Sequence, residues 1–256
     1  SNFRQDLLEK IKILGATARR DAGRPLPKTT TRTIQAPTGA PVKPDTSASL
    51  YSKPVTLRPS TNAQSPKILA IGSSTGGPQA LLELFKGLKP TIGVPVVITQ
   101  HMPPTFTRIL SEHITKATDW TCTEAEEGEV LKPNQAYIAP GDYHMEVIES
   151  SNGPCLRMNQ DPPVNFCRPA VDPMLKSVVK VFGARVLTAI LTGMGNDGLD
   201  GGKVVIEAGG TLIAQDEASS VVWGMPGAVA TAGICSAILP LTQLGGHIMK
   251  FIGKGS

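Results

Sequence analysis

From Pro66 onward, short apolar runs alternate with longer stretches whose apolar residues recur at helical spacing. Residues 67–71 (Lys-Ile-Leu-Ala-Ile) and 94–99 are almost continuously apolar, the pattern of strands buried on both faces. Residues 78–89 carry Ala80, Leu81, Leu82, Leu84 and Phe85, and residues 105–115 carry Phe106, Ile109, Leu110 and Ile114, so each predicts an amphipathic helix with those residues inward. The rhythm breaks over 120–157. There the runs Ala136-Tyr137-Ile138 and His144-Met145-Glu146-Val147 are separated by Gly128, Pro133, Pro140-Gly141 and Gly153-Pro154, predicting two or three antiparallel strands. It then returns as a helix over 173–182, a strand over 185–191, a helix over 199–208 and a strand over 211–214. A small-residue helix over 227–232 and a closing helix over 241–251 follow. The expected fold is α/β: a mostly parallel, doubly wound sheet with a small antiparallel β insertion.

The first 66 residues have a different texture. Leu7, Leu8, Ile11, Ile13 and Leu14 among charged residues predict a helix over 4–20, and from Asp21 to Pro66 the chain carries eight prolines among Thr, Ser, Ala and Lys. Such a composition buries too little apolar surface to offset ordering, so it reads as an extended linker. The expected division is an interdomain helix and flexible basic linker over 1–66 and a catalytic domain over 67–256. Ser1-Asn2 reads as a cloning remnant, so the natural protein is expected to extend upstream.

Charge divides at the same place. Residues 1–66 hold 11 Lys/Arg against 4 Asp/Glu, and residues 67–256 hold 14 against 17. The basicity therefore belongs to the tail, and the globular part lacks the electrostatic footprint of a nucleic-acid binder. No apolar run of about 18 residues and no secretory leader is present, which points to a cytoplasmic protein without membrane insertion. Cys122, Cys155, Cys167 and Cys235 form no CxxC pair and read as reduced structural thiols rather than metal ligands.

In a parallel sheet, chemistry gathers in loops after the carboxyl ends of strands. Three such loops carry reactive side chains. The first is Gly72-Ser-Ser-Thr-Gly76, a GxSxG turn between strand and helix whose Ser74 is a candidate nucleophile. The same turn could serve only to cap the next helix. Gln100-His101-Met102 follows the second strand, and of the four histidines only His101 lies directly after a core strand, the best place for a base. Asp197, in Gly193-Met-Gly-Asn-Asp-Gly198, could orient that base or could be a turn residue. An α/β-hydrolase order of Ser, Asp, His would instead recruit Asp197 or Asp216 with His247, but His247 falls within a helix. A dinucleotide site is disfavoured because the turn lacks GxGxxG and the second strand does not end in an acidic residue.

Taken together, Ile71-Gly-Ser-Ser-Thr-Gly-Gly77, Ile98-Thr-Gln-His-Met-Pro-Pro104, Tyr137-Ile-Ala-Pro-Gly-Asp142, Leu191-Thr-Gly-Met-Gly-Asn-Asp-Gly198 and Gly224-Met-Pro226 resemble the catalytic domain of the bacterial chemotaxis protein-glutamate methylesterases, the CheB family, over about residues 67–250. The resemblance implies Ser74 as nucleophile, His101 as base and Asp197 as the residue orienting it, with backbone N–H groups near Thr75 and Met194 stabilising the oxyanion. It implies hydrolysis of glutamate γ-methyl esters on the cytoplasmic helices of chemoreceptors, with methanol released, and deamidation of receptor glutamines at the same carbonyl. Neither reaction needs a metal or organic cofactor. Full-length members carry a receiver domain that covers the catalytic face until it is phosphorylated. None is recognisable here, so the chain is expected to lack phosphorylation control in cis. A small-molecule serine esterase and a non-catalytic receptor-docking module are the alternatives.

Overall fold

The strands of the main sheet are laid down on both sides of a central first strand. In the computed structural model, which describes residues 55–59 and 64–253, β1 (Ile68–Ser73) pairs in parallel with β2 (Val96–Gln100) on one side and with β7 (Val186–Ile190) on the other. Beyond β2 lie β4 (Gln135–Ile138) and then β3 (Thr121–Glu124). Beyond β7 lie β8 (Thr211–Gln215) and β9 (Ala237–Leu239), giving the order β3-β4-β2-β1-β7-β8-β9 with every pair parallel. The direction of winding reverses about β1, the arrangement that opens a crevice at the carboxyl edge of the central strands.

Both faces of the sheet are covered, which is why its strands read as continuous apolar runs rather than alternating ones. Leu69, Ile71, Val96, Ile98, Leu187 and Ala189 point into one layer with helices α1 (Gly77–Gly87), α2 (Phe106–Ala117) and α6 (Leu241–Gly253). Their neighbours Ile68, Ala70, Val97, Val186 and Ile190 point the other way, into α3 (Val171–Phe182), α4 (Leu199–Glu207) and α5 (Met225–Thr231). A two-stranded antiparallel hairpin, β5 (His144–Ile148) with β6 (Cys155–Asn159), packs on the second layer through Met145, Val147 and Leu156.

The doubly wound sheet and small insertion are those expected, with three differences of detail. Ala136-Tyr137-Ile138 is a strand of the parallel sheet, not of the insertion, because its three residues are fully buried between β2 and β3. Helix α2 turns Leu110 and Ile114 inward with Thr107 and Ser111, leaving Phe106 and Ile109 more than half exposed. The three-residue edge strand β9 has too short a pattern to be read from sequence. The expected helix over 4–20 and most of the linker over 21–66 lie outside the described residues. Of that linker, residues 55–59 belong to no helix or strand, and the Arg58 N–H donates to Cys235 O at 2.8 Å.

Candidate active site

The geometry of the site follows from sheet register. Ser73 is paired with Gln100 across β1 and β2, so the next residues, Ser74 and His101, leave the sheet side by side at its carboxyl edge, as neighbouring strands about 4.8 Å apart require. The His101 N–H donates to Ser73 O at 3.1 Å, and on the β7 side the Ser74 N–H donates to Thr192 O at 3.0 Å. Ser74 is thus held between the loops that carry His101 and Asp197.

The buried amide of Gln100 distinguishes the two serines. Its Oε1 accepts the Ser73 hydroxyl at 2.7 Å, and its Nε2 donates to the carbonyls of Ser74 and His101 at 2.9 and 3.0 Å. Ser73 is therefore fully buried and its hydroxyl is used in structure, whereas Ser74 is half-buried and opens to the crevice. The backbone of Gly193 lies against it: a Cβ there would sit 2.8 Å from Ser74 Cβ and would also strike the Met225 sulfur. Gly193 O in turn accepts the N–H groups of Gly224 and Met225 at 3.0 and 2.8 Å, so the Gly-Met-Pro turn braces the wall behind Ser74.

Asp197 is 1% exposed, and the loop that delivers it turns at Gly195 and Gly198, both at positive φ. Its Oδ2 lies 2.7 Å from His101 Nε2 and 2.6 Å from the Val171 N–H, while Oδ1 accepts from the Asp172 N–H at 3.1 Å. The carboxylate therefore caps the N-terminus of α3 and holds the imidazole at once. Burial works against its ionisation, but the hydrogen bonds from His101, Val171 and Asp172 hold its pKa below the ordinary carboxylate value. For His101, burial opposes protonation. The Asp197 hydrogen bond, with further help from Cys167, outweighs it and raises the pKa from 6.5 to about 9.

Four side chains near this pair carried no readable signal in the sequence. Asp172, 2% exposed, accepts the N–H groups of Gly198 and Gly201 at 3.0 and 2.7 Å, so a residue of α3 caps α4 while Asp197, in the loop leading into α4, caps α3. Its own pKa is raised by burial, against the Gly201 hydrogen bond and with the Asp197 charge beside it. Asn165 Nδ2 bridges the two carboxylates at 3.1 and 3.2 Å. Cys167 places its sulfur 3.3 Å from His101 Nδ1. Arg168 holds this segment by an ion pair to Asp142, the last residue of the Tyr137–Asp142 motif. All four come from residues 165–172, whose position depends on a tertiary turn and on no apolar period.

The other histidines lie elsewhere: His144 is buried in β5, where its Nδ1 accepts the Ala170 N–H, His113 is exposed on α2, and His247 lies in α6. Asp216 accepts from Ser219 in the turn after β8. Of the cysteines, Cys122, Cys155 and Cys235 are buried as structural thiols, and only Cys167 is partly exposed. Thr75 is exposed and Met194 half-buried. Among the described residues neither backbone N–H donates to another group, and Ser74 Oγ makes no hydrogen bond. No group of three or more His, Cys, Asp or Glu among the described residues is placed to hold a metal ion.

Comparison with known proteins finds relatives of the chain. A family profile described as CheB methylesterase matches residues 69–248. The chain is 52% identical over 262 residues to a protein-glutamate methylesterase/protein-glutamine glutaminase of Azospirillum brasilense, covering 99% of this chain and 64% of that protein. It is 49% identical to one from Rhodospirillum centenum, covering 98% and 65%. The chain thus spans slightly less than two thirds of these relatives. The crystal structure of the Thermotoga maritima CheB methylesterase catalytic domain superposes with a TM-score of 0.71 at 37% identity, covering 73% of this chain and 99% of that one.

Proposed function

We propose, from the premise that this chain belongs to the CheB methylesterase family, that it hydrolyses glutamate γ-methyl esters on chemoreceptors by attack of Ser74. The observation that carries the reading is the shared edge: Ser74 and His101 leave adjacent parallel strands side by side, and Asp197 lies 2.7 Å behind the imidazole. With Asp197 on Nε2, the ring offers Nδ1 as the proton acceptor. His101 takes the Ser74 proton as Oγ attacks the ester carbonyl. The tetrahedral oxyanion that forms is met by the backbone N–H groups of Thr75 and Met194, which lack acceptors among the described residues, and by the N-terminal end of α1.

Collapse of this intermediate expels methanol, protonated by the imidazolium. Water, deprotonated by the same Nδ1, then cleaves the acyl-enzyme and regenerates Ser74. Glutamine side chains present the same carbonyl with a poorer leaving group, and both relatives carry glutaminase in their names. The partners follow from the reading: methylated cytoplasmic helices of chemoreceptors, a receiver domain in the full-length protein, and a catalytic domain over 67–256 preceded by a linker. No helix among the described residues is long and apolar enough to cross a membrane, and a receptor substrate of this kind places the enzyme in the cytoplasm.

Methanol release separates the readings. Methylated receptor in membranes should yield methanol on addition of the protein, and simple acyl esters should be turned over far less efficiently. Efficient hydrolysis of the simple esters with none from receptor would replace this reading with a small-molecule esterase. Binding to receptor without any release would replace it with a docking module.

A further inference from the structure

We propose that Cys167 is a positioning residue for His101: in the resting site its sulfur accepts the Nδ1–H of the protonated ring, a contact that opens before Nδ1 takes the Ser74 proton. The inference rests on the reading of His101 as the base and adds to it a second partner for the ring. Asp197 fixes Nε2 at 2.7 Å, leaving Nδ1 as the one nitrogen free to exchange a proton with a nucleophile. The group within hydrogen-bond distance of Nδ1 is the Cys167 sulfur at 3.3 Å, and Ser74 Oγ makes no hydrogen bond to the ring.

The segment that brings the sulfur there is built at a cost. Val164 and Cys167 exchange both backbone hydrogen bonds, at 3.1 and 2.9 Å, around a two-residue turn in which Asn165 and Phe166 have φ of 51° and 63°. A turn with both central residues left-handed favours Asn or Gly, and a phenylalanine there is strained. Its ring is also 80% exposed, so apolar burial does not offset that strain. What the turn does secure is the placement of Asn165 on Asp197 and of Cys167 on His101, one residue to each member of the pair.

Sulfur suits this role because it is a weak hydrogen-bond partner. It can orient the ring yet yield to a serine hydroxyl when an ester carbonyl is seated. Where the ring is protonated, Nδ1–H donates to the sulfur, which therefore favours the proton, in line with the raised pKa of His101. The groups set around the imidazole are Asp197 from the β7–α4 loop and Cys167 from the turn, with Asp172 and Asn165 behind Asp197.

The test is an NMR titration of the His101 ring in the full chain, for wild type, Cys167→Ala and Cys167→Ser. In Cys167→Ala the midpoint should move to lower pH by roughly one pH unit, the size of one hydrogen bond made by one protonation form. The acid limb of kcat/KM should move with it, and Cys167→Ser should recover part of the movement. Coincident midpoints in wild type and Cys167→Ala, or a rise in the variant, would overturn the proposal. The titration does not depend on the substrate. Absence of methanol release with a moved midpoint would therefore fault the methylesterase reading alone, and normal release with an unmoved midpoint would fault this one alone. Capping wild-type protein with methyl methanethiosulfonate supplies a check without mutation. The Cys167 thiolate displaces methanesulfinate and becomes a methyl disulfide, which should depress turnover in wild type and spare Cys167→Ala. Undiminished turnover after Cys167 is fully capped, as read by mass, would also overturn it.

Discussion

His101 answers to two demands that run in opposite directions with pH. In the proposed role of base it must be neutral, and its pKa is raised from 6.5 to about 9, so kcat/KM should climb as pH rises toward and through about 9. As a protonated partner of Asp197 it stabilises the fold. That contribution is complete below the unfolded value of 6.5 and is lost as pH rises through about 9. Wild type should therefore lose part of its stability advantage over His101→Ala across this window, measured by urea unfolding at a series of pH values. Asp197→Asn removes the carboxylate that orients the ring, and kcat should fall on the order of 10³- to 10⁴-fold. The kinetic midpoint should fall as well. Ser74, His101 and Asp197 were legible in the sequence because each follows a strand-like apolar run in a loop that ends in Gly or Pro. Cys167, Asn165 and Asp172 were not, because hydrogen bonds that exist only in the folded chain, to Asp197 and His101, bring them there.

Two helices of this domain begin by capping each other. Asp197, just ahead of α4, accepts the N–H groups of Val171 and Asp172 in α3, and Asp172 accepts those of Gly198 and Gly201 in α4. The exchange fixes the loop on which Asp197 stands, so Asp172→Ala should cost about 1–2 kcal/mol in urea unfolding. It should also lower kcat more than that loss of stability explains, since the Asp197 carboxylate would lose its fixed geometry. A second element prediction concerns the wall behind Ser74. Gly193→Ala drives a methyl group toward Ser74 Cβ, 2.8 Å away, and should abolish most turnover while circular dichroism remains that of wild type. At this scale periodicity found the helices and core strands but misjudged two details. Phe106 and Ile109 fit a helical apolar face, yet α2 buries Thr107 and Ser111 in their stead, Thr107 being drawn inward by hydrogen bonds to Glu124 and the Gly141 N–H. Ala136–Ile138 is short and flanked by turn residues like an insertion strand, and only its burial between β2 and β3 makes it part of the sheet.

On the scale of the whole domain, winding outward from β1 in both directions brings residues 74, 101 and 197, far apart in the chain, to one edge. The chain order of Ser74, His101 and Asp197 follows from that winding: Ser74 comes after β1, His101 after β2 on one side, and Asp197 after β7 on the other. Nothing favours an α/β-hydrolase arrangement using His247, since that residue lies in α6, packed on the layer opposite α3 and α4, and His101 is the histidine paired with Asp197. The central claim is that Ser74, and not the adjoining Ser73, attacks the ester. Methanol release from methylated receptor, compared among wild type, Ser74→Ala and Ser73→Ala, tests it most directly. Ser74→Ala should fall to the background of receptor alone. Ser73→Ala, which loses only a buried hydrogen bond to Gln100, should remain active. Release by Ser74→Ala at the wild-type rate would contradict the account.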